Sequence, residues 1–423
     1  MQSAYSQSTI VAPWSSPEAA GFDGRALDLL DRDLARMHDD GALPAIALLI
    51  ARHGREVRVT CHGGSGAAST PAVDAETPFR WYSLSKPVTS FALLTLHDEG
   101  RWQPGDPLAR HLPELADLRV AVADDRAAIS ALATEPLQRP PTVQDLLGHR
   151  AGFAYGIATP PPHPVDALYA RRRVLDFQQP LARLVGRAAA LPLVAQPGQR
   201  FHYSIAHDLQ GAVVERLCGQ PFGDALRQRV LAPLGMHDTG FHVTPAQAPR
   251  LAALWQSGAG GRAEAAAPGP LVWDVTQPPA LQSGGGGLVG SLADLHRFAQ
   301  AVMAVATNAP GALLGPRSRA LAVTPLHHQV PAAGGHPTAL GYCGGGLYRL
   351  DEPAVLGSPV NPGTLQAAGA GGGFFSADPA SGIVLCGLMS VLGWRRPEVP
   401  AFLAEQRVYA ALRADVDRAF LST

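Results

Sequence analysis

Phe79-Arg80-Trp81-Tyr82-Ser83-Leu84-Ser85-Lys86 runs without interruption into Pro87-Val88-Thr89-Ser90-Phe91-Ala92-Leu93-Leu94. Of the 34 lysines and arginines in this 423-residue chain, Lys86 is the single lysine. The difference between the two residues is chemical: an ammonium can lose its proton when desolvated or crowded by charge, whereas a guanidinium stays protonated. A site that needs a proton acceptor cannot use arginine. Ser83 precedes Lys86 by three residues, so on a helix the two side chains share one face, a turn apart. In this S-x-x-K spacing a neutral lysine can help turn a serine hydroxyl into a nucleophile. Leu84, Val88, Phe91, Leu94 and Thr95 recur at steps of three and four and Gly100 supplies a stop. The pattern predicts a buried helix with Ser83 in its first turn. There the hydroxyl would lie beside free backbone N–H groups, at the positive end of the macrodipole.

Composition narrows the classes. A formal net charge of −1 gives no long-range attraction to nucleic acid or to an acidic membrane surface, and the densest basic cluster, Arg171-Arg172-Arg173, reads as a solvated helix face. No apolar run reaches the length of about 18 residues needed to cross a bilayer. Cys61, Cys218, Cys343 and Cys386 are too scattered for a disulfide framework and contain no C-x-x-C pair, which fits a reducing compartment. Met1 to Ala19 is polar and proline-broken, without the apolar core of a secretory signal, so a cytoplasmic location is expected. His327-His328 and the pair His202 and His207 lack an H-E-x-x-H or comparable ligand set, so no metal and no cofactor is expected.

Asp23 to Met37 alternates Leu27, Leu29, Leu30 and Leu34 with charges at helical spacing. Pro44 to Ala51 followed by Glu56 to Cys61 reads as a β-hairpin. From Trp102 to Gly284 the chain is proline-interrupted and mostly helical, with helices expected over 142–148, 164–189, 205–218 and 221–230. After the glycine run 284–287 a helix is expected over 291–305 with Ser291 as its N-cap. Strands follow over 345–350, 372–377 and 383–389, and a last helix over 400–420. Strands and helices at both ends around a helical middle predict one α/β domain discontinuous in sequence, residues 1–100 with 285–423, and a mainly helical domain, residues 101–284.

Three further segments sharpen this reading: Thr142-Val143-Gln144-Asp145-Leu146-Leu147-Gly148-His149-Arg150-Ala151-Gly152-Phe153, Pro197-Gly198-Gln199-Arg200-Phe201-His202-Tyr203-Ser204, and Leu231-Ala232-Pro233-Leu234-Gly235-Met236-His237-Asp238-Thr239-Gly240-Phe241. With F-R-x-x-S-x-S-K before them, the ordered set resembles the serine β-lactamase and penicillin-binding-protein superfamily, closest to class C β-lactamases and family VIII carboxylesterases, from about residue 17 onward. The resemblance implies a β-lactamase/transpeptidase-like fold, an α/β domain whose antiparallel sheet is built from both termini, joined to an all-α domain, with the site between them. It further implies Ser83 as acyl-accepting nucleophile, Lys86 as its activating partner and Tyr203 as general base. The backbone N–H groups of Ser83 and Ala370 would form the oxyanion hole. His149 is expected to be structural, fixing the loop near the Ser83 helix.

The departures from the family pattern bear on substrate. Asparagine commonly stands two residues after the tyrosine; here it is Ile205. The third motif, K-T-G in β-lactamases and H-x-G or W-x-G in esterases, falls at Ala367-Ala368-Gly369. Two polar anchors for an anionic amide are therefore missing, and small residues leave room for an uncharged acyl or alcohol group. Trp81, Tyr82, Tyr155, Trp273 and Trp394 are candidates for an apolar substrate wall, although ordinary core packing would use the same residues. The expected activity is hydrolysis of a small-molecule carboxylic ester through an acyl-enzyme. Acyl transfer by the same machinery, β-lactam or D-amino-acid peptide cleavage, and a non-catalytic binding protein are the alternatives. An α/β-hydrolase is disfavoured because Gly63-Gly64-Ser65-Gly66-Ala67 fails the G-x-S-x-G elbow at its last position.

Overall fold

The computed structural model describes residues 13–14, 16–64, 72–122, 132–158, 160–329, 339–393 and 399–413. Its centre is an antiparallel sheet of eight strands among the described residues: β1 (Ala45–Arg52), β2 (Arg55–Gly63), β3 (Pro325–Gln329), β4 (Leu340–Cys343), β5 (Leu347–Leu350), β6 (Thr364–Ala368), β7 (Phe374–Asp378) and β8 (Ile383–Met389). They lie in the order β2-β1-β8-β7-β6-β5-β4-β3, so the N-terminal hairpin pairs with the last strand, Leu49 opposite Cys386. The sheet is thus assembled from both ends of the chain, as the sequence predicts.

β1 is buried along its whole length because the sheet is covered on both faces, which is why it reads as an unbroken apolar run rather than an alternation. Ile46, Leu48 and Ile50 face α1 (Gly24–Asp39), which contributes Leu27, Leu30 and Leu34. Ala47, Leu49 and Ala51 face the main core, with Val88, Phe91 and Leu94 of α2 (Ser85–Asp98).

The middle of the chain supplies α3 (Val143–Leu147), α4 (Pro164–Arg171), α5 (Leu181–Ala189), α6 (Ala206–Cys218) and α7 (Phe222–Leu226). The expected helix over 164–189 is two helices: α4 ends at Arg171, Arg173 takes a left-handed φ of +48°, and Pro180 stands at the N-cap position of α5. Short hairpins, including Arg119–Val122 with Ala133–Pro136, also interrupt this region. The helix over 221–230 is likewise short, passing into a π turn over Arg227–Leu231. α8 (Leu292–Ala306) begins where predicted, the Ser291 side chain accepting from the Asp294 N–H at 3.2 Å. After it come α9 (Pro316–Val323) and α10 (Val399–Ala410), the second helix on the outer face of the sheet. The final helix was expected to extend to 420; residues 414–423 lie outside the described residues.

Candidate active site

Ser83 does not sit within the first turn of α2 but in a short 3-10 turn, Tyr82–Leu84, that leads directly into it. The turn is entered through Tyr82 at φ +48°, a left-handed conformation that a bulky side chain seldom adopts and that costs on the order of 1–3 kcal/mol unless its surroundings impose it. Here they do. Trp81 donates its N–H to the Leu288 carbonyl, and the Tyr82 hydroxyl donates to the Leu271 carbonyl at 2.9 Å. The kink leaves Ser83 partly exposed while Trp81, Tyr82, Leu84, Ser85 and Lys86 around it are buried.

Lys86, 2% exposed, points back along the helix. Its ammonium has three N–H positions and meets three oxygen acceptors: the Gly285 carbonyl at 2.6 Å, Ser83 Oγ at 3.0 Å and the Tyr155 hydroxyl at 3.4 Å. Tyr203 approaches from the other side, its hydroxyl donating to Ser83 Oγ at 2.9 Å. Lys86 Nζ also lies over the Tyr203 ring, 4.6 Å from its centroid. The Ser83 oxygen therefore receives two donors at once. To give up its own proton it needs one of them to become an acceptor, so Ser83, Lys86 and Tyr203 share protons as one set.

Burial pushes the Tyr203 phenol up, partly offset by its hydrogen bond to Ser83, so it is held as a phenol. His149 and His207 stand behind the set, their values held far down, by burial first and then by neighbouring cations including Lys86, and both are neutral. His149 Nδ1 accepts from the Ser204 N–H at 3.2 Å and its carbonyl accepts from the His202 N–H, while its ring packs 4.8 Å from that of Tyr203. Through these contacts it holds the loop that carries Tyr203, beside Ser83.

The third-motif strand is β6. Gly369, just after it, is a position where a Cβ would lie 2.3 Å from the Trp81 carbonyl, so only glycine lets the strand end come this close to the Ser83 turn. Ala370 occupies the turn between β6 and β7, and neither its N–H nor that of Ser83 donates to another described residue. Both are available to an oxyanion. Ala367 faces the core side of the sheet at 6% exposure.

The wall residues separate into three groups. Tyr82 meets Trp273 edge-on, centroids 5.5 Å apart, and Trp273 stacks on Phe177 at 3.9 Å, so these rings form one aromatic ladder beside the turn. Trp81 and Ile205, each 0% exposed, are core residues and do not face a substrate. Tyr155 is buried with its hydroxyl at Lys86, and burial holds it as a phenol, so it belongs with the lysine rather than the wall. Trp394 lies outside the described residues.

Two contributors escape sequence reasoning. Phe177 lies in a stretch expected to be helical, with no signal of its own. The Gly285 carbonyl is a main-chain group in a run that reads only as the lead-in to the helix over 291–305, yet it is the shortest hydrogen bond Lys86 makes. A cavity of about 860 Å³ borders Ala367, Gly369 and Ala370, but it extends toward Glu405 of α10, and none of Ser83, Lys86 or Tyr203 lines it.

No helix among the described residues is long and apolar enough to cross a membrane. The Beta-lactamase family profile matches residues 30–408. Protein Rv1367c of Mycobacterium tuberculosis (strain ATCC 25618 / H37Rv) is 32% identical over 366 residues, covering 85% of this chain and 88% of the relative. Esterase EstB of Burkholderia gladioli is 30% identical over 390 residues, 87% of this chain and 90% of the relative. Among solved structures, EstCE1, described as a hydrolase with promiscuous acyltransferase activity, superimposes with a TM-score of 0.73 at 25% identity, over 91% of this chain and 99% of its own. Profile and relatives span nearly the whole length and include the S-x-x-K turn and the tyrosine beside it: the chain belongs to the β-lactamase family.

Proposed function

We propose that the protein is a serine hydrolase that cleaves carboxylic esters of small molecules through an acyl-enzyme on Ser83. One observation carries the reading: the partly exposed Ser83 Oγ sits 2.9 Å from the Tyr203 hydroxyl and 3.0 Å from Lys86 Nζ, in a site without the polar anchors an anionic amide would need. As the ester carbonyl approaches, the Ser83 proton passes into the Lys86 and Tyr203 set while Oγ bonds to the acyl carbon. The negative charge on the carbonyl oxygen falls between the N–H groups of Ser83 and Ala370. The proton then goes to the departing alkoxide. Water repeats the sequence on the acyl-enzyme and returns a proton to Ser83. An alcohol in place of water would complete an acyl transfer by the same steps, which is the second reading that the likeness to EstCE1 favours.

What favours esters over β-lactams is the lack of a polar anchor: neither Ile205, packed in the core, nor Ala367, on the core side of the sheet, offers a group to an anionic amide. A charged hydrogen bond to substrate is worth roughly 1.5–3 kcal/mol, so its loss is about one to two powers of ten in specificity. A cytoplasmic location fits Cys61, Cys218, Cys343 and Cys386, all free thiols, of which Cys343 and Cys386 are buried. The test is intact-protein mass spectrometry after brief exposure to p-nitrophenyl butyrate, nitrocefin and a fluorophosphonate, with kcat/KM measured for the first two. Acylation mapped to Ser83 and faster turnover of the ester are expected; preferential turnover of nitrocefin would reverse the substrate assignment.

A further inference from the structure

Three rings from three separate segments meet beside the Ser83 turn. The Tyr82 ring packs against the turn between β6 and β7, where a Cβ on Gly371 would lie 3.1 Å from its Cδ2. Trp273 meets Tyr82 at 85° with centroids 5.5 Å apart, and Phe177 lies parallel to Trp273, within 9° and at 3.9 Å. The rungs are also stitched through their backbones. The Leu271 carbonyl, two residues before Trp273, accepts from the Tyr82 hydroxyl at 2.9 Å, and the Leu281 N–H, further along the same loop, donates to the Phe177 carbonyl at 3.3 Å. Tyr82 is 3% exposed, whereas Trp273 and Phe177, at the outer end, are half-buried. Large rings held in place and left partly open to water form a wall that the apolar surface of a ligand can complete.

The ladder is separate from the groups that carry the proton. Tyr203 and Tyr155 form their own pair, ring centroids 5.5 Å apart, with Lys86 Nζ 4.6 and 5.2 Å from the two centroids. No ring contact among the described residues joins this pair to Tyr82, Trp273 or Phe177. That division assigns the corners of a tetrahedral carbon on Ser83. One corner is Oγ itself, and the second is the oxyanion between the Ser83 and Ala370 N–H groups. The third is the leaving oxygen, which must reach the Tyr203 and Lys86 set to be protonated. The fourth corner, left to the acyl chain, is turned away from Tyr203, and the ladder supplies the apolar surface beside Ser83 that the proton-carrying groups do not occupy.

We propose that Trp273 and Phe177 are specificity-determining residues that receive the acyl half of the ester, and that the class they select is an aryl-bearing acyl group such as phenylacetyl, whose flat ring adds a rung to the ladder. The inference rests on the ester-cleaving reading and deepens it by naming which half of the ester is recognised. The geometry favours a flat group: an aryl ring can stack on, or meet edge-on, the open part of Trp273 or Phe177. An acetyl methyl offers little surface to cover them, so a short acyl chain leaves both rings wet. Neither residue touches the reacting atoms, so their contribution is to holding the acyl group and not to proton transfer.

The test crosses the two halves of the ester. In the acyl series, p-nitrophenyl phenylacetate and p-nitrophenyl acetate share a leaving group; in the alcohol series, 2-naphthyl acetate and phenyl acetate share an acyl group. Wild type should turn over the phenylacetate with a kcat/KM at least about tenfold above that of the acetate. Trp273→Ala should lower kcat/KM for the phenylacetate at least about tenfold more than for the acetate, while the ratio within the alcohol series stays within about threefold of wild type. A wild type that prefers the acetate, or a variant that lowers both acyl esters equally, would overturn the proposal and leave the ladder as a support for its loop. A shift confined to the alcohol series would place the alcohol on the rings and equally overturn it. If the alanine variant does not fold, Phe177→Leu carries the same test, keeping apolar bulk and removing the flat face: a loss of at least about threefold in the acyl-series ratio is expected, and an unmoved ratio would be decisive against the role. Failure of the wild-type enzyme to cleave any of the four esters would instead reject the esterase reading itself.

Discussion

Lys86 Nζ lies closer to the Gly285 carbonyl, at 2.6 Å, than to the Ser83 hydroxyl it would activate, at 3.0 Å. The lysine is thus held by the main chain first and offered to the serine second, inside a pocket that leaves it 2% exposed. A guanidinium is planar, larger and always charged, so it cannot fill three converging acceptor positions set for an ammonium, nor take a proton. Lys86→Arg should lose ester turnover nearly as completely as Lys86→Met, by about three powers of ten or more, with fold verified by circular dichroism. An arginine variant within tenfold of wild type would mean that charge alone suffices.

Ser83 and Ser85 make a matched control. Among the described residues Ser83 Oγ hydrogen-bonds to Tyr203 and Lys86 alone, whereas Ser85 Oγ is buried and accepts from the Leu288 N–H at 3.0 Å. Ser83→Ala should abolish fluorophosphonate labelling with an unchanged melting temperature. Ser85→Ala should remain labelled but lose about 1–3 kcal/mol of stability, the cost of a buried N–H left unpaired. Label transferred to Ser85 with Ser83 unmodified would refute the assignment.

What the sequence disclosed follows the range of the forces involved. The relation of Ser83 to Lys86 is local, fixed by three residues of helical geometry, and the solitary lysine made it conspicuous. The long apolar run of β1 and the capped start of α8 are local signals too. Tyr203 lies 120 positions from Ser83 and carries no local mark of its role, so only the ordered motifs of the family brought it forward. The Gly285 carbonyl was illegible for a different reason: a main-chain oxygen has no residue type. Aromatic residues misled most, since Trp81 in the core and Trp273 in the ladder look alike until their burial is known.

Stability should depend on the two buried imidazoles. His149 and His207 are 1% and 0% exposed, and their folded values lie well below the ordinary one of 6.5. Below pH about 6.5 the unfolded chain takes up protons that the folded protein refuses, so stability falls as pH decreases, by up to about 1.4 kcal/mol per pH unit for each histidine, until the folded values are reached. Urea midpoints between pH 7.5 and 5.5 should show this slope. Neither ring nitrogen of His207 has a hydrogen-bond partner among the described residues, so His207→Leu should fold and remove about one proton from the slope. An unaltered slope would mean that His207 is charged in the folded protein.

The glycine run supplies the most geometric prediction. Its members Gly284 to Gly287 are absent from the positive-φ positions, so space rather than backbone conformation demands them. The demand is uneven: a Cβ at Gly284 would meet the His207 carbonyl at 2.4 Å and Thr89 Cγ2 at 2.9 Å, whereas one at Gly286 finds nothing nearer than the Tyr82 backbone at 3.9 Å. Backbone against backbone cannot yield as a flexible side chain can, so Gly284→Ala must push the loop away from α6 and carry the Gly285 carbonyl off Lys86. It should cost about 1–3 kcal/mol of stability and, because the lysine loses its closest partner, lower kcat rather than raise KM. Gly286→Ala should stay within about 0.5 kcal/mol of wild type and keep most of its activity. Equal behaviour of the two variants in urea melts and steady-state kinetics would show that the loop does not set the position of Lys86.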